Sequence, residues 1–358
     1  MNARKGIAHL PLHGGKAPRW LFDRMKLLSR EISRVMCYEV GAEEYLKRLS
    51  DPFWFQTFGC VLGFDWHSSG LTTTVCGALK EGLKDLGKEL GIFVCGGKGA
   101  TSRKTPFEIE SFAEKRLIEA DAEKLKYASR MSAKVDNTAL QDGYQLYHHT
   151  FIVTRKGKWL VVQQGMNQDT CWARRYHWLG ESVKDFVCEP HEAVCCDHTG
   201  RVLNMIARES GLARESCSAL SKENPERVTG EYAKIETLRL ARRHDVRVKD
   251  ISSKNLKKIL IRTYESSPGN FEELLGVAGV GPGTIRALAL MSELIYGRKP
   301  SFKDPVRFSF AHGGKDGHPY PVNRTRYDAS IKFLRSAVSK AKIGQTERIK
   351  AFRRLERF

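Results

Sequence analysis

Tyr147-His-His-Thr-Phe-Ile-Val-Thr154 and Trp159-Leu-Val-Val-Gln-Gln164 are two runs of β-branched and aromatic residues, separated by a short polar segment that contains Gly157. Runs of this composition favour extended strands, and a short connection with a glycine is typical of a hairpin. The two runs therefore predict an antiparallel β-hairpin over residues 145–164. This is the clearest β-structure that the sequence indicates.

The sequence on both sides of this hairpin is mainly helical. Apolar residues recur at helical spacing over residues 20–40 and 72–90, and residues 107–134 read as one long helix with a charged, solvated face. A short apolar strand is predicted over residues 92–95, and the pattern from Val202 onward is again helical. We therefore expect an α+β, mainly helical fold, with a small hairpin sheet in the N-terminal part and a helical C-terminal domain.

The chain of 358 residues is strongly basic, with a formal net charge of +19, and this excess is unevenly distributed. Residues 251–358 carry a net charge of +12, whereas the longer segment 1–250 carries only +7. Nucleic acid is the partner that such an asymmetry favours. We divide the chain into an α+β part, residues 1–220, expected to hold recognition or catalysis, and a basic helical domain, residues 221–358.

Composition excludes several classes of protein. Hydrophobic residues make up 41% of the chain, which is enough for a core and excludes wholesale disorder. The sequence shows neither an uncharged apolar run of about 18 residues nor a signal peptide. Nine irregularly spaced cysteines indicate reduced thiols. We expect a cytoplasmic, nucleoid-associated protein.

The strongest local motif lies in the basic third, where Leu274-Leu-Gly-Val-Ala-Gly-Val-Gly-Pro-Gly-Thr-Ile-Arg-Ala-Leu-Ala-Leu290 matches a helix-hairpin-helix. Its glycines allow a tight turn and a close approach of a sugar-phosphate strand, and the amides that start the second helix face a phosphate. Such contacts hold duplex DNA without reading its sequence. The DNA-binding residues predicted in this motif are Gly279, Val280, Gly281, Gly283, Thr284 and Arg286, with Val280 plugged into the core.

Glycosylases and lyases with this motif often carry a catalytic lysine directly before the threonine, where this chain has Gly283. They also carry an aspartate further along the chain, and Asp304 lies in the corresponding region. Asp304 precedes Pro305, however, and we favour a turn role for its carboxylate. The motif therefore predicts DNA binding and not lyase chemistry.

Three Gly-Gly-Lys clusters end at Lys16, Lys98 and Lys315. A Gly-Gly backbone can form a nest for a phosphate oxygen beside a lysine ammonium, and a flexible turn with an exposed lysine is the alternative. We treat these three lysines, and Lys104 in the loop that follows the second cluster, as candidate phosphate contacts.

Candidate catalytic residues gather around the hairpin. His148 and His149 are adjacent on the predicted strand and must face opposite sides of the sheet, so one of them is available to a site. With Asp142, a histidine here could hold Mg²⁺ or Mn²⁺ or act as a general base, and we predict Asp142 and His148 as the metal ligands. Asp65 and His67, in a glycine-flanked loop, form a second candidate catalytic pair. A polar cluster without chemistry is the alternative at both places.

Cys188, His191, Cys195 and His198 offer four zinc-type ligands at short spacing. Zinc modules usually separate two ligand pairs by about a dozen residues or more. We therefore favour buried thiols and surface histidines over a structural zinc.

Several longer stretches are distinctive, among them Leu10-Pro-Leu-His-Gly-Gly-Lys-Ala-Pro-Arg-Trp20, Ser50-Asp-Pro-Phe-Trp54 and Phe310-Ala-His-Gly-Gly-Lys-Asp-Gly317. On these residues the chain closely resembles a prokaryotic family, the domain of unknown function 763, over nearly its full length. The resemblance implies no established activity. Where that family has Pro-Val-Asp-Arg, this chain has Asn323, so a catalytic role of that acid would not carry over.

Two classes of function remain. Polar residues in the nearly neutral N-terminal part favour a DNA-processing or repair enzyme, either a metal-dependent nuclease or a base-repair enzyme, that grips the DNA backbone through the helix-hairpin-helix. The alternative is a non-catalytic DNA- or RNA-binding adaptor.

Overall fold

The computed structural model describes residues 17–64, 68–237, 253–306 and 324–355. Over these ranges the chain has the α+β, mainly helical fold that the sequence predicts. Within the same ranges, no helix combines the length and the apolar character that crossing a membrane requires.

The elements follow one another in a helix-rich order. The helices are α1 Arg19–Val40, α2 Ala42–Ser50, α3 Pro52–Leu62, α4 Gly70–Leu83, α5 Gly87–Leu90, α6 Thr105–Glu114, α7 Ala122–Lys134, α8 Gly211–Ser221, α9 Pro225–Thr237, α10 Ser253–Ser266, α11 Phe271–Gly276, α12 Pro282–Tyr296, α13 Arg324–Lys340 and α14 Gln345–Leu355. The strands are β1 Ile92–Lys98, β2 Leu140–Gln141, β3 Gln145–Thr154, β4 Trp159–Asn167, β5 Trp172–Leu179, β6 Ala193–Cys195, β7 Arg201–Asn204 and β8 Ser301–Lys303.

The predicted hairpin is present as β3 and β4, which pair antiparallel with His149 opposite Gln163. The connection between them turns at Gly157, whose φ of +83° is a conformation that favours glycine. Strand β1 pairs with the free edge of β3, and β5 and β6 extend the sheet beyond β4 in the order β1-β3-β4-β5-β6. A second, three-stranded sheet has the order β2-β7-β8.

The five-stranded sheet is buried on both faces. Ile92 and Val94 of β1 join a hydrophobic cluster with helices α1–α5, α13 and α14, whereas Phe93 and Cys95 join a cluster with helices α6–α12. Successive residues of a strand face opposite sides, so β1, β3, β4 and β5 each contribute to both clusters. A strand that is covered on both faces is read as a continuous apolar run, and this explains the unbroken hydrophobic stretch in β3.

The cluster on the α6–α12 side contains Leu220 and Val228, which lie on either side of the predicted boundary between residues 220 and 221. One continuous core therefore joins the α+β part of the chain to the helices α10–α12 of the basic third. Experiments on this side of the sheet therefore need the whole chain.

The single helix predicted over residues 107–134 is wrong, because the structure has two helices there. Arg116 has a φ of +53°, which ends the helical conformation after α6, and the Asp121 side chain caps α7 by accepting from the amides of Glu123 and Lys124. Local backbone geometry thus overrides the charge pattern. At its other end α7 continues into a π-helical turn, Val135–Ala139, a geometry that is frequent at functional sites.

Candidate functional site

A cleft of about 680 Å³ lies between α7, the start of α6 and the segment that joins α11 to α12. We call this segment, residues 277–281, the glycine turn. Four basic residues line the cleft, namely Arg103, Lys126, Arg130 and Lys134. The cleft therefore presents a cationic surface to solvent.

The glycine turn is fixed by its own backbone and by one buried side chain. Gly279 has a φ of +93°, and Val280, with 1% of its surface exposed, packs into the core beneath the turn. Lys134 Nζ donates to the carbonyl oxygen of Val280 at 2.7 Å, and Gln141 Nε2 donates to that of Pro282 at 3.0 Å. These carbonyl groups are thus held by the α7 side of the molecule.

In the described part of the chain, no side chain caps the amides that follow the glycine turn. Helix α12 begins at Pro282, and its cap residue Gly281 has no side chain that could accept from the first-turn amides of Gly283 and Thr284. A Cβ atom added at Gly283 would meet no atom within 4 Å, and one added at Gly281 would meet the carbonyl oxygen of Gly279 at 3.9 Å, an ordinary van der Waals contact. Thr284 is buried, with 4% of its surface exposed, Arg286 is half-buried, and neither of them lines the cleft.

A second helix also starts at this cleft. Thr105 and Pro106, the first residues of α6, line the cleft opposite the glycine turn, and Lys104 before them makes no side-chain cap. The Thr105 amide donates to the carbonyl oxygen of Ser102 and Pro106 has no N–H, so the N-terminal charge that adds to the cationic side chains of the cleft is that of α12.

The basic side chains of the cleft differ in what they bind. Lys126 pairs with the carboxylates of Glu110 and Glu123, and Lys134 is held by the glycine turn as described above. Arg103 and Arg130 are exposed and form no ion pair with a carboxylate of the described residues. These two guanidinium groups remain available for an anion.

A buried chain of hydrogen bonds starts at the floor of the cleft. Ser129 Oγ lies 2.8 Å from His149 Nε2, and His149 Nδ1 lies 2.9 Å from Gln163 Oε1. Gln163 Nε2 donates to Asp136 Oδ2 at 2.5 Å, and Trp178 Nε1 donates to the same oxygen at 2.9 Å. Burial lowers the pKa of His149, although its bond to Gln163 opposes the shift. The imidazole is therefore neutral at physiological pH.

His148 lies on the opposite face of the sheet, as strand alternation predicts. Its Nε2 lies 2.9 Å from Thr150 Oγ1. Burial lowers the pKa of His148 to about 3, and the neighbouring His149 and Lys98 lower it to a smaller extent.

Lys98 lies opposite His148 in the β1–β3 pairing and places its ammonium 5.8 Å from the ring centroid of Tyr147. This lysine lines a different groove from that of His149. Lys104 is exposed directly before α6 and does not line the cleft.

Asp142 is tied into a buried ion-pair network. Its Oδ2 accepts from Arg174 at 2.9 Å and from the Tyr176 hydroxyl at 2.7 Å. Arg174 and Tyr176 face the same side of the sheet as His149, so Asp142 and His148 lie on opposite faces and the structure does not bring these two predicted ligands together. In the part of the chain that the structure describes, there is no cluster of three or more His, Cys, Asp or Glu side chains arranged for a metal ion.

Asp304 has the turn role that we favour for it. Its Oδ1 accepts from the Val306 amide at 3.0 Å, and its Oδ2 accepts from Gly200 N and from Arg174. A buried arginine thus holds two aspartates that are far apart in sequence.

The four residues with zinc-type spacing have separate surroundings. Cys195 is buried and Cys188 is partly buried, both as free thiols. His191 hydrogen-bonds to Asp136 Oδ1, and the ring of His198 lies 4.2 Å from that of Trp172. The other candidate residues Lys16, Asp65, His67 and Lys315, and also Asn323, lie outside the described residues.

Sequence reasoning missed Ser129 and Asp136. Both lie on the buried face of α7 and of its π-helical extension, which they share with Leu125 and Ser132. These four positions are separated by three or four residues, the spacing that places side chains on one helix face. A hydroxyl and a carboxylate on an apolar helix face are buried polar groups that need partners. This was the signal in the sequence that could have indicated them.

The fold and the site together define an α+β protein with a basic cleft, at whose floor a buried histidine holds a serine hydroxyl. The chain belongs to the family described as "Protein of unknown function (DUF763)", whose model matches residues 6–322. No curated protein and no solved structure shows significant similarity to it.

Proposed function

We propose that this protein binds duplex DNA through a helix-hairpin-helix motif, formed by α11, the glycine turn and α12, and that it is a DNA-processing or repair enzyme. The observation that carries the proposal is a juxtaposition: the glycine turn, Arg103 and Arg130 border the same cleft that holds Ser129 and His149 at its floor. A phosphodiester backbone is the anion that fits a narrow cleft of this kind.

The contacts available in the cleft suit phosphates and not base edges. Backbone amides at the start of α12 and two exposed guanidinium groups donate to oxygen anions. The glycine turn has no side chain at Gly279 or Gly281 that could read a base. Binding should therefore be independent of sequence and strongly dependent on salt.

The imidazole at the cleft floor favours an enzyme over an adaptor. A protein that only binds DNA needs cationic and backbone contacts, whereas His149 offers a neutral base within hydrogen-bond distance of a hydroxyl. A protein that binds duplex DNA in this way would associate with the nucleoid. Because a metal-dependent nuclease is one of the proposed enzymes, turnover of DNA is to be measured with Mg²⁺ and with Mn²⁺. The non-catalytic adaptor, on DNA or RNA, is the outcome if binding is found without turnover.

The binding proposal is tested by fluorescence anisotropy with the full chain and a labelled DNA duplex over a series of KCl concentrations. We expect the double variant Arg103→Gln/Arg130→Gln to bind more weakly and to reduce the slope of log K against log salt by about 2, since each phosphate contact contributes about 0.9. The matched control is Arg353→Gln, an exposed arginine on α14 that does not line the cleft. An unchanged slope in the double variant would refute the cleft as the binding site.

A second variant tests the glycine turn itself. Gly281→Val adds a β-branched side chain where the structure leaves space, so the fold should persist while a DNA strand can no longer approach the backbone. Gly230→Val on α9 is the control, because a Cβ there meets no atom within 4 Å. Equal DNA affinities of the two variants, or tighter binding of an RNA duplex than of a DNA duplex, would contradict the proposal.

A further inference from the structure

Two acceptors fix the direction of the buried hydrogen-bond chain. Gln163 Nε2 lies 2.5 Å from the Asp136 carboxylate and 3.3 Å from the carbonyl oxygen of Ser132, and only an NH₂ group can serve both. Gln163 Oε1 therefore faces His149, so Nδ1 of this histidine carries a proton and Nε2 carries the lone pair. Ser129 Oγ, at 2.8 Å, must donate its proton to Nε2.

Ser129 differs in this respect from Ser29, Ser132 and Ser221, whereas the Ser33 hydroxyl in α1 also contacts a side chain, the Tyr45 hydroxyl at 2.8 Å. The hydroxyls of Ser29, Ser132 and Ser221 each donate to the backbone carbonyl three residues earlier, which is the ordinary local bond of a helical serine. The hydroxyl of Ser129, in the middle of α7, turns to an imidazole instead. Both partners also line the cleft, with 4% of Ser129 and 7% of His149 exposed.

We propose that Ser129 is a nucleophile and His149 its general base, and that Gln163 and Asp136 are positioning residues that hold the imidazole in the required tautomer. A hydroxyl hydrogen-bonded to an imidazole whose other nitrogen is oriented by a third group is the arrangement that activates a serine. The assignment of Ser129 and His149 as nucleophile and base rests on the geometry of their hydrogen bond. Its substrate class, a phosphodiester of the DNA backbone, rests on the proposed function.

The reaction proceeds in two steps that balance. Ser129 Oγ forms a bond to phosphorus, its proton passes to His149 Nε2, and the bond from phosphorus to one sugar oxygen breaks as that oxygen takes the proton from His149. The intermediate is a phosphodiester that joins Ser129 Oγ to the remaining sugar. Water attacks its phosphorus and gives a proton to His149 Nε2, and the bond from phosphorus to Ser129 Oγ breaks as that oxygen recovers the proton. The products are a terminal phosphate and a free sugar hydroxyl.

The first test uses diisopropyl fluorophosphate, which labels activated serines when the hydroxyl attacks phosphorus and fluoride leaves. We expect one adduct per chain by intact mass, located on Ser129 by peptide mapping. Ser129→Ala should show no adduct, and His149→Gln should be labelled at least tenfold more slowly. Ser221→Ala is the matched control, a buried helical serine that should leave the labelling unchanged. The absence of an adduct on Ser129 in the unmodified protein would overturn the proposal.

Gln163 is tested by the pH profile of labelling. The rate should fall as acid protonates His149, and Gln163→Leu should reduce the rate about tenfold and move the midpoint to lower pH, since the Gln163 bond raises the pKa of His149. A purely structural role would change the thermal stability of this variant without moving the midpoint. An unmoved midpoint would thus refute the positioning role.

DNA assays separate the two proposals. Ser129→Ala should bind DNA like the unmodified protein and lose turnover of duplex, nicked or lesion-bearing DNA. Labelling of Ser129 without turnover of any DNA substrate would support the nucleophile and refute DNA processing. DNA turnover that survives in Ser129→Ala would support DNA processing and refute the nucleophile.

Discussion

Replacement of Asp136 by leucine tests whether this carboxylate organises the site. Asp136 is fully buried and accepts hydrogen bonds from Gln163, Trp178 and His191. Leucine has a similar volume but no acceptor, so the variant Asp136→Leu leaves the donors without their partner. A buried donor without an acceptor costs about 1–3 kcal/mol.

The loss of the carboxylate does not affect the three hydrogen-bond donors equally. Trp178 is fully buried and loses its acceptor outright, as does His191, whose side chain is only 6% exposed, whereas Gln163 keeps the carbonyl oxygen of Ser132 at 3.3 Å. Removal of a buried charge also recovers part of its desolvation cost. Together these effects predict a loss of about 3 kcal/mol in the free energy of unfolding. Asp136→Asn keeps one acceptor and should lose only about 1 kcal/mol.

Urea unfolding followed by far-ultraviolet circular dichroism measures both variants at neutral pH. The asparagine variant is the control, since it preserves size and polarity at the same position. The expected result is a lower midpoint for both with an unchanged denaturant slope, and a larger shift for leucine. A leucine variant as stable as the unmodified protein would refute the view that the carboxylate is needed as an acceptor.

Three further predictions concern stability. Burial lowers the pKa of His148 to about 3, against an ordinary 6.5, so between these pH values unfolding takes up a proton. The free energy of unfolding should therefore fall from pH 6.5 towards pH 3, by up to about 1.4 kcal/mol per pH unit for this group. Urea titrations should show a weaker dependence of this free energy on pH in His148→Gln. Arg174→Met leaves two buried aspartates without a cation and should cost about 3–5 kcal/mol, and a loss below about 1 kcal/mol would contradict a structural ion pair. Gly279→Val should lower the urea midpoint more than Gly281→Val, because only Gly279 has a positive φ, of +93°.

The sequence predicts the elements whose signals are local. The β3–β4 hairpin depends on two β-branched runs and on Gly157, all within twenty residues of one another, and it is present with the expected turn. The helix predicted over residues 107–134 fails for an equally local reason, since the left-handed Arg116 and the Asp121 cap divide it. The spacing of charged residues does not indicate where a left-handed residue or a capping side chain interrupts a helix.

The site depends on contacts that no local pattern shows. Ser129 meets His149 because α7 packs across the sheet, and the side of β3 that faces α7 is set by packing and not by composition. Asp142 was expected beside a histidine, yet the buried Arg174 from β5 holds it instead. The adjacent histidines could be placed on opposite faces from the sequence, but which of them reaches a cleft could not.

The layer that covers the other face of the sheet has a consequence for biosynthesis. Leu334 and Val338 of α13 and Leu355 of α14 pack in the same cluster as Met25 and Trp54. A ribosome adds roughly 300 residues between these two groups, which takes about 15–60 s at 5–20 residues per second. The early helices must therefore wait with an uncovered apolar face while the sheet and the cleft are synthesised. This layer can therefore be completed only after α13 and α14 have been synthesised.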